Sequence, residues 1–380
     1  MTTSEGRASA RSSAEDSRGE RARISTAPTS LSPEQVRGPA PVLSVILVTS
    51  RHPEFVADAI ESVRRQTLDR RSFELVVVQD YHNPTLERAT VEAQGRSVIV
   101  SPGYFGSGLE AGVAASRGEI LSFLDDDDCY RPEKLLAVAS AFHEDPTLGF
   151  YRNGFSIIDS NGHPLPNHPF RAAQRTSGER LGSVTIGGPD RDVKLRELPA
   201  VGIDFNSSCI SVRRILLQRL ISHLRLPGPR LPDELPFFAT LASTMSLRVD
   251  PSPLTEYRIH QGSISSGSFT EAAPFAARES YSRLAAQSGP PLIDAVRAMG
   301  SQTAIDEAEG LWVVQRAYLA LRDASTSRSQ YLQLRRELGA LRRSYLVKCE
   351  TRLGMALLLF WIAPALGRQL YAREIRSRSS

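Results

Sequence analysis

Four consecutive aspartates, Asp125 to Asp128, follow directly on the apolar run "EILSFL". Carboxylates crowded at the end of a buried segment repel one another and lose solvation, which raises their pKa values or distorts the turn. A bound divalent cation resolves that conflict, and hard oxygen ligands suit magnesium or manganese. The alternative is a solvated acidic turn at the start of a helix opened by Pro132, because acids are favourable at helix N-termini. Another acid, Asp80, ends a second apolar run, "FELVVVQD". Downstream, Asp233 and Glu234 precede the apolar stretch "LPFFATLAS", and Arg258 and His260 stand together in "YRIH". Taken alone, a histidine is more often a surface or core residue than a ligand, and an arginine can equally be half of a structural salt bridge.

The elements around these residues alternate in type. "LSVILV" from Leu43 is a continuous β-branched run, the pattern of a strand buried on both faces. Pro53 then opens a helix with Phe55, Val56, Ala59, Ile60 and Val63 on one face. Buried strands follow at "FELVVVQD", "SVIV" and "EILSFLDDDD", with a Gly-rich turn and a helix between the last two. "PEKLLAVASAFHED" reads as a helix, and "GFYRNGFSIIDSNGHPL" as a β-hairpin turning at Asn161-Gly162. Residues 163 to 200 form a loop-rich insertion, and the chain is helical after Ser266. This is the alternation of an open α/β sheet, in which ligands bind beyond the carboxyl ends of the strands. Asp80 and the Asp125–Asp128 run both fall at such ends.

The ordered set of motifs resembles glycosyltransferase family 2. "SVILVTSRHPEFVADAIESVRRQT" resembles that family's opening strand and helix, and "FELVVVQD" its second strand. "GVAASRGEILSFLDDDDCYRPEKL" is similar to the stretch carrying the DxD motif, and "YRIHQGSIS" to the closing segment. The resemblance runs from Pro41 to Ser266 and implies a GT-A fold, a Rossmann-like open mixed sheet flanked by helices, here with a C-terminal helical extension over 267–352 and an apolar, basic segment over 353–380. It implies an inverting transferase that uses a nucleotide-diphospho-sugar donor, Mn2+ or Mg2+, and a hydroxyl-bearing acceptor. Thr49 and Asp80 would contact the nucleoside, Asp125 the ribose or sugar, Arg258 a phosphate, and Asp127 and His260 the metal. Asp128 would orient those ligands from behind. An acceptor hydroxyl is a weak nucleophile, so a carboxylate must take its proton. The resemblance places that base in the pair Asp233-Glu234, with the order of the acids swapped relative to the family. Gln79 and Leu109-Glu110 also depart from the family pattern. A donor-binding scaffold without activity is therefore a second reading. Metal-dependent phosphoryl or nucleotidyl transfer is a third, but it needs a phosphate-cradling loop that the sequence lacks.

Composition bounds the rest. Hydrophobic residues make up 41% and charged residues 23% of the 380, as expected of a chain that mostly folds. Residues 1–40 are rich in Ser, Arg, Ala and Pro, so a disordered tail is expected. Cys129, Cys209 and Cys349 are scattered and odd in number, which suits a reducing compartment, and no secretory signal is apparent. Cytoplasm is the expected location. From Arg335 to Arg378 there are ten Lys/Arg against three acids, an excess of seven in a chain of net charge +4. A basic tail on a near-neutral body suggests an anionic membrane surface as partner, and no nucleic-acid motif appears. "LGMALLLFWIAPALG" is short for a spanning helix. It reads either as an interfacial segment or as a helix packed on the catalytic domain.

Overall fold

The computed structural model describes residues 41–49, 54–100, 105–167, 182–198, 206–224, 234–260, 274–323, 325–350, 353–367 and 369, side chains at 105–107 and 274–281 excepted. The apolar run at the start becomes β1 (Leu43–Thr49), and its side chains alternate between two cores. Ile46 joins one cluster, while Val45 and Leu47 join the other. Both faces of β1 are covered, which is why the run is apolar at every position rather than at every second one.

The first half of the chain builds a parallel sheet. After β1 come α1 (Val56–Arg64), β2 (Phe73–Gln79), α2 (Pro84–Glu92), β3 (Arg96–Ile99), α3 (Phe105–Ala115) and β4 (Ile120–Asp125). β1 lies between β2 and β4, parallel to both, and β3 adds outside β2. α2 was not anticipated between the second and third strands. Only Leu86 and Thr90 of that helix are buried, so its apolar stripe is faint. Its start is nonetheless marked: Pro84 is at the first turn, and Asn83 Oδ1 accepts from the amides of Thr85 and Leu86 at 3.0 and 3.1 Å.

The second half makes the sheet mixed. β5 (Cys129–Tyr130), α4 (Lys134–Glu144), β6 (Leu148–Ile158), β7 (Val184–Ile186), α5 (Arg191–Glu197), β8 (Ile210–Arg213), α6 (Arg214–His223), α7 (Leu235–Leu241) and β9 (Ser246–Arg258) follow. The strand order is β3-β2-β1-β4-β8-β6-β9-β5, with β7 on β9. β8 runs antiparallel to β4 and β6, while β6 and β9 are parallel. The hairpin expected at Asn161-Gly162 forms but is short: Ile158 bridges Pro164, and the amides of Asp159 and Leu165 donate to the carbonyls of His163 and Ile157 at 2.9 and 2.8 Å. Within the insertion expected to be loop-rich, β7 and α5 are ordered elements, and residues 168–181 lie outside the described set.

One core holds α1, α2 and α4 against the sheet. The opposite core holds α3, α5, α6 and α7 and also takes in α8 (Pro274–Ala298), α9 (Gln302–Arg322) and α11 (Tyr345–Cys349) through Val296, Ala304 and Leu346. A third cluster joins α9, α10 (Arg328–Ala340) and α12 (Leu353–Ile362). Glu307 of α9 is 1% exposed and accepts from the amides of Tyr345 and Leu346 at 2.6 and 3.0 Å. This buried carboxylate closes the N-terminus of α11, where free N–H groups and the helix dipole favour an anion.

Gly112 fixes how closely α3 approaches β1. A Cβ there would lie 2.4 Å from Ile46 Cγ2 and 3.3 Å from Val78 Cγ2, and both neighbours are fully buried. Helix propensity favours Ala over Gly by about 1 kcal/mol. Overpacking of an immobile core costs about 1–3 kcal/mol, so the clash should win. Gly112→Ala should therefore lower the stability measured by urea unfolding. An increase would show that α3 is not seated on β1 in this way.

Candidate functional site

The strand directions bring the candidate residues to one edge. β1, β2, β4, β6 and β9 all point the same way, and β8 begins at the edge where they end. Thr49 is in register with Gln79, and Val48 with Asp125. Thr49 is fully buried and lies 3.4 Å through Oγ1 from the hydroxyl of Tyr81, the residue after Asp80. Asp80 itself is half-buried at the end of β2. The edge thus carries Thr49, Asp80 and the acidic run on three neighbouring strands, with Arg258 and His260 arriving at the end of β9.

The acidic run folds into a tight turn between β4 and β5, with the Asp128 amide donating to the Asp125 carbonyl at 3.3 Å. Asp125, Asp127 and Asp128 converge, each offering a carboxylate oxygen within 4.8 Å of the others. Ser207 Oγ donates to Asp125 Oδ1 at 2.6 Å, and the Asp125 amide donates to Ser208 Oγ at 3.0 Å. Asp128 is 1% exposed; its Oδ1 accepts from the Arg258 amide at 2.9 Å, while its Oδ2 has no hydrogen-bond partner. Asp127 Oδ2 lies 3.0 Å from His260 Nε2.

Burial raises the carboxyl of Asp125 to about 6, and the charge of Asp126 adds to this. Burial and mutual repulsion push Asp127 and Asp128 well above the usual carboxylate range. Burial also holds the His260 imidazole below its ordinary value, which favours the neutral ring that can ligate a metal. A divalent cation fits this set: all three carboxylates supply oxygen, and the partnerless Asp128 Oδ2 is costly unless a positive charge meets it.

Arg258 is placed differently from a phosphate-facing arginine. It is 1% exposed, and its guanidinium donates to the carbonyls of Asp127 at 2.8 Å and Ser160 at 3.1 Å and to Asp58 Oδ2 at 2.9 Å. It also lies 4.8 Å over the Phe55 ring. Its fork therefore ties α1, the acidic turn and the loop after β6 together. Gln79 is buried with Oε1 unpartnered, and Leu109 is a core residue of α3. Burial raises the carboxyl of Glu110.

Glu234 stands at the N-terminus of α7, 2% exposed, with the helix packed on β6 and β8. Asp233 lies outside the described residues.

Sequence reasoning missed the support beneath the turn. Ser207 and Ser208 sit in a single 3-10 turn entered from Asn206, whose φ is +62° and whose Oδ1 accepts from the Ser208 amide at 2.8 Å. Lys134 is fully buried, donates to the Ser208 carbonyl, to Asn153 Oδ1 at 2.9 Å and to Thr255 Oγ1 at 3.1 Å, and rests 4.1 Å over the Tyr130 ring. Burial lowers its ammonium to about 7. The Asn-Ser-Ser run was a visible turn signal. Nothing in "PEKL" marks its lysine as buried.

A mixed open sheet flanked by helices, with an acidic turn at its carboxyl edge, is a fold of the GT-A class. The family model for glycosyl transferase family 2 matches residues 44–215, and the chain carries a domain of that family. The sequence is 32% identical over 153 residues to an uncharacterized glycosyltransferase of Haemophilus influenzae, covering 39% of this chain and 50% of that protein. It is 29% identical over 125 residues to one of Nostoc sp., covering 31% of this chain and 38% of that protein. The matched regions thus span at most half of these curated relatives. The fold is also similar to S. aureus TarS residues 1–349, crystallised in complex with UDP-GlcNAc, with a TM-score of 0.53, 14% identity and coverage of 88% and 90% of the two chains.

The raised carboxyl of Asp125 has a measurable consequence. Its folded value lies above the unfolded one, so ionising it costs stability, and the cost appears as pH rises from about 4 to about 6. In chelator-treated protein, the stability of the wild type relative to Asp125→Asn should fall across that window, by on the order of 2–3 kcal/mol. A difference that does not change with pH in denaturant titrations would show that Asp125 is solvated.

Proposed function

We propose that the chain is an inverting, divalent-metal-dependent glycosyltransferase that moves a sugar from a nucleotide-diphosphate donor to a hydroxyl acceptor. The observation that carries this reading is the convergence of Asp125, Asp127 and Asp128 at the sheet edge of a family 2 domain. Asp127 and Asp128, with His260, would hold Mn2+ or Mg2+, and Asp125 would bind the ribose or sugar. The cation, when bound, supplies charge stabilisation for the departing diphosphate. Thr49 and Asp80, one and two strands away, fit the nucleoside end. Arg258 acts by holding the acidic turn in shape and not by touching phosphate.

Transfer is a single displacement. The acceptor oxygen bonds to the anomeric carbon as the bond to the diphosphate oxygen breaks, and the hydroxyl proton passes to a carboxylate of the Asp233-Glu234 pair. The position of Glu234, buried at the N-terminus of α7, supports this role, because a general base must be held in place. A glycan, a lipid-linked intermediate or a small natural product would serve as acceptor.

Asp127→Asn should abolish turnover and the metal-dependent part of nucleotide binding, with the fold retained by circular dichroism. Glu234→Gln should keep donor binding and lower turnover by ~10²-fold or more, as for a lost general base. If only Asp233→Asn does so, the base is Asp233. If Asp127→Asn binds donor and metal like the parent, or neither acid matters, the assignments fail.

A membrane-facing role for the C-terminal segment follows from α12. Leu353, Leu357 and Phe360 are buried in the helical cluster, so one face packs on the protein. On the rest of the segment Met355 is 68%, Ile362 60%, Leu366 48% and Trp361 36% exposed. No helix among the described residues is long and apolar enough to cross a membrane. Exposed apolar side chains on α12, together with the exposed Arg335, Arg336, Arg342 and Arg343 in and just after α10, the helix it packs on, suit shallow seating on an anionic bilayer, at the cytoplasmic face. The full chain should co-sediment with phosphatidylserine-containing vesicles at low salt and less with neutral ones. Met355→Ser combined with Ile362→Ser should release it without unfolding. Protein that stays in the supernatant, or is unaffected by the double substitution, would refute attachment through α12.

A further inference from the structure

Ser122 of β4 is in register with Ser211 of β8, and the two strands run antiparallel. The residues that lead into β8 therefore lie against those that end β4. Two serines meet Asp125 there by different routes. Ser208 Oγ accepts from the Asp125 amide at 3.0 Å and fixes its backbone. Ser207 Oγ donates to Asp125 Oδ1 at 2.6 Å and engages its side chain. Both serines are buried.

The chain is bent to bring them there. Asn206 sits at φ +62° and ψ +101°, outside the ordinary range of a residue that carries a Cβ. Strain of this kind persists only where the surroundings over-determine it. Here Asn206 Oδ1 accepts from the Ser208 amide at 2.8 Å, while Lys134 of α4 and Thr255 of β9 both donate to the Ser208 carbonyl, Thr255 at 2.9 Å. Asp125 is the group that needs holding. The carboxylates of Asp127 and Asp128 come within 4.8 Å of its own, and Asp126 follows it in the chain. Mutual repulsion favours a rotamer that turns Asp125 out of the cluster. A hydroxyl–carboxylate bond opposes that turn, because a charged acceptor makes such a bond roughly twice as strong as a neutral one.

We infer that Ser207 is a positioning residue for the donor: its hydroxyl fixes the Asp125 rotamer and occupies Oδ1, which leaves Oδ2 to accept from a hydroxyl of the bound nucleotide sugar. This rests on the reading in which Asp125 binds the ribose or sugar. It gives Ser207 no part in holding the metal, so the two roles separate by ligand. Pyrophosphate meets the cation but brings no ribose or sugar hydroxyl, whereas a nucleotide sugar uses both contacts.

The full chain, with Mn2+ present, is titrated calorimetrically with inorganic pyrophosphate and with a panel of nucleoside diphosphate sugars, and the tightest-binding nucleotide is carried forward. Ser207→Ala should weaken that nucleotide by about 10-fold, the loss typical of removing a group that orients a ligand contact, and leave pyrophosphate binding unchanged. Asp125→Ala should weaken the nucleotide at least as much. Adding Ser207→Ala to Asp125→Ala should cost nothing more, because the side chain through which Ser207 acts is gone. Ser207→Thr, which keeps the hydroxyl, should retain most of the binding, and urea unfolding of each variant checks that it is folded. Three results would overturn the role of Ser207 while leaving the donor site in place: Ser207→Ala binding the nucleotide like the parent, losing pyrophosphate in equal measure, or costing as much in the Asp125→Ala background as alone. If Asp125→Ala itself binds every nucleotide like the parent, the donor-site reading of Asp125 has failed, and this inference falls with it.

Discussion

The arrangement at the sheet edge depends on Arg258. Four aspartates at the end of a buried strand would splay apart if nothing fixed the backbone that carries them. Arg258 fixes it from behind: the amide holds Asp128 Oδ1, and the guanidinium holds the Asp127 carbonyl. Its pairing with Asp58 contributes less, because Asp58 is 60% exposed and an ion pair with one solvated partner is worth roughly 0–1 kcal/mol. The stronger constraint is the set of carbonyls it satisfies, above all that of half-buried Asp127, an acceptor that is costly to leave without a donor. Fully buried and always charged, this arginine supplies a fixed positive centre on the protein side of the turn. The opposite side is left for a cation.

Sheet topology explains why a residue 133 positions downstream of Asp127 can reach it. An all-parallel sheet would have required β9 to return by a crossover helix. Here β6 returns through α4 to run parallel to β4, and β8, antiparallel to both, ends at the opposite edge, from which β9 runs back to the edge where β4 ends. The short β5 pairs with Thr255 and Glu256 and clips the turn to the last residues of β9. His260 follows two residues after that strand ends, against Asp127 on one side and 4.7 Å from the Phe55 ring on the other.

The parallel half of the fold was legible in the sequence because its strands are buried on both faces and therefore apolar throughout, and because Pro53 and Pro132 announce the helices. The acidic turn was legible because four carboxylates crowded at the end of such a strand repel one another unless a cation meets them. Other features left weaker marks. β6 and β9 carry Asn153, Asp250 and Thr255, whose polar side chains are matched by tertiary partners that periodicity does not reveal. The turn at Asn161-Gly162 was legible as local chemistry, with Gly162 at φ +82°, but how short its second arm would be was not. Arg258 was visible as a charge near the site, but only its burial shows that it faces inward. Lys134 looked like an ordinary helix-start lysine and is a buried strut.

The helical extension is tied to the site through α7. A helix of seven residues has more free carbonyls at its C-terminus than it can satisfy internally. Arg191 of α5 donates to the carbonyls of Thr240 at 3.3 Å, Leu241 at 3.0 Å and Met245 at 3.1 Å, and also to that of Ser243. Ser301, the residue that caps α9, donates through Oγ to Leu241 at 2.9 Å. Two elements outside the sheet therefore hold the C-terminal end of the helix whose other end carries Glu234. Phe237 and Phe238, both fully buried, pin its body against Phe150 and the rest of the core. If Glu234 is the base, as proposed, it needs a fixed position more than it needs reach. Fixing so short a helix at both its body and its far end provides that, and under the proposed role α5 and α9 position the acid without touching it.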